Sequence, residues 1–173
     1  MFSRLLTARG HALAGLVGAA LAALAAPLVL DPAPRLVWNA SASAPVGLWR
    51  ITPGAAVCVG DTVLAEPPPA ARRLAAQRHY LPANVPMIKA VAAVSGDRVC
   101  AVGPWIRIND RPVALRRAAD RRGRKLPWWS GCARLSDGAV LLLNPTPDSF
   151  DGRYFGPVSK GAVIGRATPL WLP

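Results

Sequence analysis

Histidine is scarce in this chain: only His11 and His79 occur among its 173 residues. A Ser-His-Asp triad needs a histidine within reach of a serine in the folded domain. His11 lies in an apolar N-terminal segment, and His79 closes a short basic stretch, so we interpret both as structural. The scarcity of histidine therefore argues against a nucleophilic site that uses a histidine base.

Acidic residues are also few, since nine Asp and Glu stand against 21 Lys and Arg, which gives a net charge of +12. So few acids, several of them in turn-like segments, argue against the paired carboxylates of glycoside chemistry. The excess positive charge would suit nucleic acid, but no helix-turn-helix, zinc-finger or RNA-recognition pattern is present. We therefore favour a basic face near anionic lipid headgroups and expect no nucleic-acid partner.

Cysteine occurs three times, so at least one thiol lacks an intramolecular partner. Cys100 and Cys132 flank one basic segment and are predicted to pair, which would leave Cys58 free. The other two pairings remain open. No Cys-x-x-Cys or Cys/His spacing indicates a metal site, and we expect no cofactor.

A long hydrophobic run stands at the N-terminus. Arg4 and Arg9 precede an uncharged segment from Gly10 to Leu30, about the 20 residues that a membrane-spanning helix needs. Positive charge before the run places residues 1–9 in the cytoplasm and residues 31–173 outside. A cleavable signal peptide is the alternative, because Ala23 and Ala25 form a small-x-small site.

Beyond Leu30 the chain is predicted to be mainly β, with a barrel-like or folded-sheet architecture. Short β-branched runs alternate with Gly, Pro and Asp, and a helix is predicted only between Ala70 and His79. Strands are predicted over Val57–Leu64, Met87–Val94, Arg98–Val102, Val140–Leu143 and Ala162–Ala167, and a hairpin with a tight turn at Asn109-Asp110 is predicted over Ile106–Val113.

Residues 114–134 form a basic insertion that contains six Arg and Lys before a Pro-Trp-Trp sequence. The segment could act as a lid or contact a membrane or partner. It could equally be a long solvated loop held by a Cys100–Cys132 bond.

Three segments carry the candidate chemistry. Residues 39–49 read Asn-Ala-Ser-Ala-Ser-Ala-Pro-Val-Gly-Leu-Trp, a turn-rich stretch shortly after the hydrophobic run. Residues 87–99 begin with an apolar strand that contains one lysine, Lys89, and continue through a Ser-Gly-Asp turn. A buried ammonium is costly unless it loses its proton or finds a partner. Residues 144–156 read Asn-Pro-Thr-Pro-Asp-Ser-Phe-Asp-Gly-Arg-Tyr-Phe-Gly.

Together these segments resemble the S26 family of signal peptidases, and in particular its TraF-type branch, the pilin-maturing peptidases of conjugative transfer systems. Residues 39–49 are similar to that branch's Ser-x-Pro-x-Gly-Leu-Tyr/Trp pattern with its upstream Asn. Residues 88–99 are similar to the family's Ile-Lys-x-Val and Gly-Asp-x-Val box, and residues 148–156 to its Asp-Ser-x-Asp-Ser-Arg-Tyr box. The resemblance extends from the hydrophobic run to the C-terminus, with Gly152 in place of the second serine of the last box.

The resemblance implies a role for five residues. Ser43 falls on the nucleophile and Lys89 on its general base. Ser41 falls where housekeeping members place an oxyanion-hole hydroxyl, Ser149 on a serine that hydrogen-bonds the lysine, and Asp151 on an acid important for structure or activity. Three features depart from housekeeping enzymes and favour the TraF-type branch: only one residue separates Ser43 from Pro45, an alanine follows Lys89, and the lead-in at residues 143–147 is altered.

Physical chemistry supports the Ser43–Lys89 pair independently. A serine hydroxyl is a weak nucleophile unless a base removes its proton. Lysine titrates near 10.4, but desolvation in an apolar strand disfavours its charged form and lowers its pKa. A neutral Lys89 amine could then act as the base.

These observations predict a serine endopeptidase with a Ser/Lys dyad. It would be anchored once in the bacterial inner membrane, with its catalytic domain in the periplasm. Its expected partners are membrane lipid and a precursor protein, with a pilin precursor first and cyclisation of the product left open. A general signal peptidase I is one alternative. A non-catalytic, membrane-tethered assembly partner of a secretion or conjugation channel is the other.

Overall fold

A computed structural model describes residues 2–30 and 32–173 of the chain. The chain divides into two units, Met1–Ala33 and Pro34–Pro173. The first unit holds helix α1 (Phe2–Leu30), which covers the segment predicted to be an anchor. Within the part of the chain that the structure describes, no helix combines the length and the apolar character needed to cross a membrane.

The second unit is mainly β, which confirms this part of the predicted fold class. Ten strands and two short α-helices make up its regular structure, with one 3₁₀ turn at Lys160–Ala162 before the last strand. The strands are β1 (Leu36–Asn39), β2 (Gly47–Pro53), β3 (Thr62–Ala65), β4 (Met87–Ala93), β5 (Arg98–Val102), β6 (Trp105–Ile108), β7 (Arg111–Leu115), β8 (Gly131–Arg134), β9 (Leu141–Leu142) and β10 (Val163–Trp171), and the helices are α2 (Pro69–Gln77) and α3 (Gly152–Phe155).

The strands form two antiparallel sheets. The larger has six strands in the order β1-β2-β10-β3-β4-β9, and the smaller has four in the order β7-β6-β5-β8. Buried side chains of the smaller sheet, such as Val99 and Ile106, pack against Ala93 and Leu141 at the β4–β9 end of the larger sheet. The core therefore joins the two sheets beside β4, the strand that carries Lys89.

Burial along the strands explains why some were predicted and others were not. In β2, Trp49 and Ile51 are buried and alternate with the exposed Arg50 and Thr52, as expected of a strand with one solvated face. Strand β4 is instead buried along most of its length, so its sequence is a nearly continuous apolar run. Strands β1 and β2 were not predicted, because the turn-rich segment between them dominated the pattern.

Three predicted segments need correction. The strand predicted over Val57–Leu64 begins only at Thr62, because Gly60 adopts a φ of 92° and the Asp61 carboxylate accepts a hydrogen bond from the Cys58 amide at 2.9 Å, which makes a turn. Helix α2 ends at Gln77, and His79 takes a left-handed φ of 57°. The 114–134 insertion is a loop only in its middle, since β7 ends in it and β8 closes it.

The disulfide joins the C-terminal end of this insertion to β5. The structure places a bond of 2.07 Å between Cys100 in β5 and Cys132 in β8, which lie directly opposite each other in the ladder. Cys58 is exposed and free. The bond closes a segment with a sequence separation of 32, which contains the hairpin β6–β7 and the basic residues.

We expect the double substitution Cys100→Ala and Cys132→Ala to lower the free energy of unfolding by about 3–4 kcal/mol, because the unfolded chain regains the entropy of a loop of this length. Urea denaturation of the purified full-length chain measures the loss. Cys58→Ala is the matched control and should change stability by less than about 0.5 kcal/mol. An equal effect of the two variants would contradict a stabilising bond.

Candidate active site

Ser43 lies in the loop 40–46 that connects β1 to β2. Asn39, the last residue of β1, organises this loop: its side-chain nitrogen donates to the carbonyls of Ser41, Ala44 and Pro45 at 3.0, 3.1 and 2.9 Å. Its side-chain oxygen accepts from the Ser41 amide at 3.1 Å. One buried amide thus fixes the backbone on both sides of Ser43, which leaves the serine side chain half-buried at the loop surface.

Lys89 sits in the middle of β4 with 3% of its surface exposed. Its Nζ lies 3.0 Å from Ser43 Oγ and 2.9 Å from Ser149 Oγ. On a flat sheet β2 and β4 would lie about 14 Å apart, since two strands separate them at about 4.8 Å a step. The loop 40–46 must therefore extend past β10 and β3 for Ser43 to contact Lys89.

Burial controls the charge of Lys89. Desolvation lowers the pKa of its ammonium from the usual 10.5 to about 8. The nearby Asp151 carboxylate opposes the shift, and the Arg153 guanidinium reinforces it. An amine with a pKa near 8 is neutral in a useful fraction of molecules at neutral pH, and its lone pair can then accept a proton from Ser43.

Ser41 is the second hydroxyl beside the candidate nucleophile. Its Oγ lies 3.0 Å from Ser43 Oγ and 3.5 Å from the Ser43 amide nitrogen. The Ser43 N–H donates to the Ser41 Oγ in this structure, so the two groups that could stabilise a developing oxyanion lie next to each other and beside the Ser43 Oγ.

Ser149 and Asp151 come from the segment between β9 and α3, and both are almost completely buried. Ser149 contacts the Lys89 amine directly. Asp151 binds Arg153 instead: its Oδ2 lies 2.7 Å from Arg153 Nη1, and its carboxylate also accepts from the amides of Asn144 and Arg153 at 3.0 and 3.1 Å. Burial raises the pKa of Asp151, and the Arg153 guanidinium is the largest effect opposing that rise.

Asn144 is a site residue that the sequence did not single out. Its side-chain nitrogen donates to the Ser43 carbonyl at 2.6 Å, and its side-chain oxygen accepts from the Ala90 amide at 2.8 Å. The same nitrogen lies 3.4 Å from the Ile88 carbonyl. One buried amide thus ties the serine loop to the backbone on both sides of Lys89. The sequence feature that could have indicated Asn144 is its position at the start of residues 144–156, where the chain departs from housekeeping enzymes.

Gly152 replaces the second serine of the family's third box, and the packing gives the reason. A Cβ at this position would lie 2.7 Å from the Leu142 carbonyl oxygen and 2.8 Å from a methyl carbon of Leu141. Helix α3 therefore begins in direct contact with β9, where a side chain has no room. Because α3 approaches β9 so closely, the Asp151 carboxylate can accept a hydrogen bond from the Asn144 amide, which follows β9 in the chain.

A cleft of about 750 Å³ opens over the two catalytic candidates. Its floor is apolar and includes Val37, Met87 and Phe150, and arginines of the basic insertion form part of its wall. Ser41, Ser43, Lys89 and Ser149 all line it. Among the described residues, no group of three or more His, Cys, Asp or Glu side chains could hold a metal ion. The arrangement can bind an extended peptide and deliver the Ser43 hydroxyl to a carbonyl carbon.

The buried ion pair of Asp151 and Arg153 should be far more important for stability than an exposed one. We expect Asp151→Asn to lower the free energy of unfolding by about 3–5 kcal/mol, because the substitution leaves a guanidinium buried without a counter-charge. The side chains of this pair are 0% and 5% exposed. Denaturant unfolding of the full chain measures the loss.

Asp110→Asn is the matched control. It removes the carboxylate of the Arg98–Asp110 pair, whose side chains are 48% and 73% exposed, and should cost less than about 1 kcal/mol. If the two variants lost the same stability, the Asp151–Arg153 pair would not have the structural weight that its burial indicates.

The chain is similar to known proteins over a range that includes the site residues. The family model for signal peptidase, peptidase S26, matches residues 8–172. A probable conjugal transfer protein TraF of Sinorhizobium fredii is 39% identical, over 75% of this chain and 73% of that protein. A conjugal transfer protein TraF of Agrobacterium fabrum is 33% identical, over 77% of this chain and 80% of that protein.

Among solved structures, a signal peptidase I of Enterococcus faecalis V583 is 18% identical and covers 66% of this chain and 98% of that one, with a TM-score of 0.36. A likeness of this size carries no weight here. The family model and the sequence relatives are sufficient, because together they extend over all three segments of the site. The chain belongs to the S26 peptidase family and is similar to its TraF proteins.

Proposed function

We propose that the chain is a serine endopeptidase in which Ser43 is the nucleophile and Lys89 is the general base. The contact of 3.0 Å between Lys89 Nζ and Ser43 Oγ, inside a strand where the lysine is 3% exposed, is the observation that supports this most. Membership in a peptidase family supports the class of reaction, and the geometry supports the assignment of roles.

The reaction follows from the chemistry of these groups. Neutral Lys89 takes the hydroxyl proton as Ser43 Oγ attacks the carbonyl carbon of the scissile bond. The Ser43 N–H and the Ser41 hydroxyl stabilise the negative oxygen, a contribution of typically about 3 kcal/mol per donor. The Lys89 ammonium returns the proton to the leaving amine, and an acyl ester remains on Ser43. Ser149 orients the amine through both steps.

The ester can then be transferred to water or to an amine. Attack by water gives hydrolysis, whereas attack by the free N-terminus of the same substrate gives a cyclic product; in either case Lys89 removes a proton from the attacking group. Both outcomes use the same four side chains, so the proposal covers a peptidase that cuts a precursor and one that also joins its ends.

We propose a pilin precursor or another exported precursor as the substrate. Two relatives that are 33% and 39% identical carry the name TraF, for conjugal transfer. The apolar cleft beside Ser43 suits an extended chain with small residues before the scissile bond.

We also propose that α1 anchors the chain in the bacterial inner membrane, with the catalytic unit in the periplasm. This rests on the uncharged run of residues 10–30 and on the two arginines before it. Leucines along the described part of α1 are 62–75% exposed, as lipid-facing side chains would be. An anchor of this kind would hold Ser43 near the bilayer surface, where membrane-bound precursors present their cleavage sites.

We expect Ser43→Ala and Lys89→Met each to lower precursor processing by at least about a thousandfold, because each removes one half of the proton-transfer pair. Co-expression with a candidate pilin precursor, followed by mass spectrometry of the product, measures processing and separates cutting from cyclisation.

Matched controls are Ser159→Ala and Lys160→Met, since both side chains are exposed and lie outside the cleft. They should process precursor at the wild-type rate. Normal maturation by the Ser43→Ala variant would favour a non-catalytic assembly role instead. Rescue of a strain that lacks its housekeeping signal peptidase would favour a general signal peptidase.

The pH dependence of kcat/KM should report the titration of Lys89. Because its base form is the neutral one and its pKa is about 8, activity should rise with pH and level off above about pH 9. At pH 7 about a tenth of the amine is neutral, so the rate should be about a tenth of the plateau.

Asp151→Asn should move this profile to lower pH, because the Asp151 carboxylate raises the pKa of Lys89. Asp110→Asn should leave the profile unchanged. A rate that stays constant between pH 6 and pH 9 would mean that Lys89 is not the base.

A further inference from the structure

One wall of the cleft carries a concentration of arginine that the proposed reaction does not use. We call it the basic wall. It consists of Arg78, just after α2, and of four arginines of the 114–134 insertion: Arg117, Arg121, Arg122 and Arg124. All five line the same cleft as Ser43 and Lys89.

The charges of this wall are not balanced within it. Arg117 and Arg121 both bind the single carboxylate of Asp148, each through Nε at 2.9 Å. Arg124 binds Asp120 at 2.7 Å, and Arg78 approaches the same carboxylate at 3.9 Å. Two carboxylates therefore face five guanidiniums, which leaves three positive charges in excess.

The two carboxylates stay ionised at any pH near neutrality. Burial would raise the pKa of Asp120, but hydrogen bonds from Tyr80 and Arg124 outweigh it and lower the pKa. A hydrogen bond from Arg121 lowers the pKa of Asp148. Since guanidinium groups do not lose their protons in this range, the excess of positive charge is permanent.

The outer arginines remain available to a ligand. The side chains of Arg117 and Arg121 are 54% and 80% exposed, unlike the buried Arg153 of the ion pair behind Lys89. Arg122 is exposed and makes no ion pair with any residue that the structure describes. Guanidinium groups left with free donors on a cleft wall can bind a carboxylate through two parallel hydrogen bonds.

The wall is held in place before any ligand arrives. The Asp120 carboxylate accepts from the amides of Arg122 and Arg124 at 2.9 Å, which makes a tight turn at the tip of the insertion. The Arg117 amide donates to the Tyr154 hydroxyl at 3.1 Å, and Trp129 Nε1 donates to the Gly152 carbonyl at 3.0 Å. A site that is already ordered binds without the entropic cost of fixing a mobile loop.

We propose that the basic wall is a specificity site for a substrate segment that carries a carboxylate close to the scissile bond. The inference rests on the proposed peptidase function and names its substrate class: a chain with small residues at Ser43 and an acidic residue within reach of Arg121 and Arg122. Anionic lipid would also bind arginine, but the wall faces the cleft of the reacting groups, which favours the peptide.

Two quenched-fluorescence peptides test this, identical except for Glu or Gln at one position, which is scanned over three residues on each side of the scissile bond. The full-length wild-type chain should cleave the Glu peptide with a kcat/KM about tenfold higher at one or more positions, since a charge-assisted hydrogen bond contributes about 1.5 kcal/mol. Raising the salt concentration to 0.5 M should reduce this ratio.

The variant Arg121→Gln with Arg122→Gln should bring the Glu/Gln ratio to about one, because it removes the guanidinium groups that would bind the carboxylate of the Glu peptide. Its matched control is Arg98→Gln with Arg111→Gln, because these residues are exposed on the smaller sheet, one in an ion pair with Asp110 and the other without one. The control should keep the wild-type ratio.

A ratio of one at every position in the wild type, or a preference that persists in the Arg121/Arg122 variant, would overturn the proposal. The proposal would also be overturned if the Arg121/Arg122 variant sedimented less with phosphatidylglycerol vesicles than the wild type does but kept the wild-type Glu/Gln ratio. That result would assign the wall to lipid.

Failure of the peptidase function gives a different result. In that case neither peptide is cleaved, and fluorescence anisotropy of the uncleaved peptides on the Ser43→Ala variant still measures the preference of the wall for Glu over Gln. Equal affinity of that variant for the two peptides would overturn the wall proposal independently of catalysis.

Discussion

The structure of the site depends on one buried amine. Lys89 can act as a base only if its surroundings disfavour its charged form, and strand β4 provides this through burial. A carboxylate beside it works in the opposite direction, and Asp151 is such a carboxylate. Arg153 lies 2.7 Å from Asp151 and lowers the pKa of Lys89, which opposes the effect of the carboxylate. The buried acid of this segment thus comes with a counter-charge that acts on Lys89 in the same direction as burial.

The candidate nucleophile and the candidate base reach each other from distant parts of the chain. Ser43 and Lys89 are separated by 46 residues, and neither strand that flanks the Ser43 loop, β1 or β2, is a neighbour of β4 in the sheet. Two buried amides solve this problem: Asn39 shapes the loop of Ser43 from within, and Asn144 joins that loop to β4. Both side chains use nearly all their hydrogen-bond donors and acceptors. They therefore fix the position of the Ser43 loop relative to β4, whereas a purely apolar contact would let the loop shift along the strand.

Much of the site could be predicted from the sequence, for reasons that differ between residues. Lys89 stands out because a lysine inside an apolar run violates the usual pattern of burial. Ser43 has no such signal, since serines are common in turns, and was found only through the order of the three segments. Asn144 was missed because its role depends on the carbonyl of Ser43, 101 residues away, and no local pattern records that distance.

Local sequence patterns likewise predicted some strands of the fold and missed others. Strands with a clear apolar run, such as β4 and β5, were predicted with nearly correct ends. Strand β2 was missed although its buried and exposed side chains alternate, because the turn residues before it suggested a linker. The turn at Cys58–Asp61 shows the converse error, since Val57 and Val59 suggested a strand that Gly60 and the Asp61 carboxylate interrupt.

The basic insertion is attached to the part of the domain that sets the charge around Lys89. Arg117 and Trp129 bind Tyr154 and Gly152 of α3, the helix that starts immediately after Asp151. Helix α3 thus contains Arg153, the counter-charge of Asp151, and also contacts the insertion. The basic wall and the buried ion pair behind Lys89 are for this reason connected through one short helix, although they lie in different segments of the sequence.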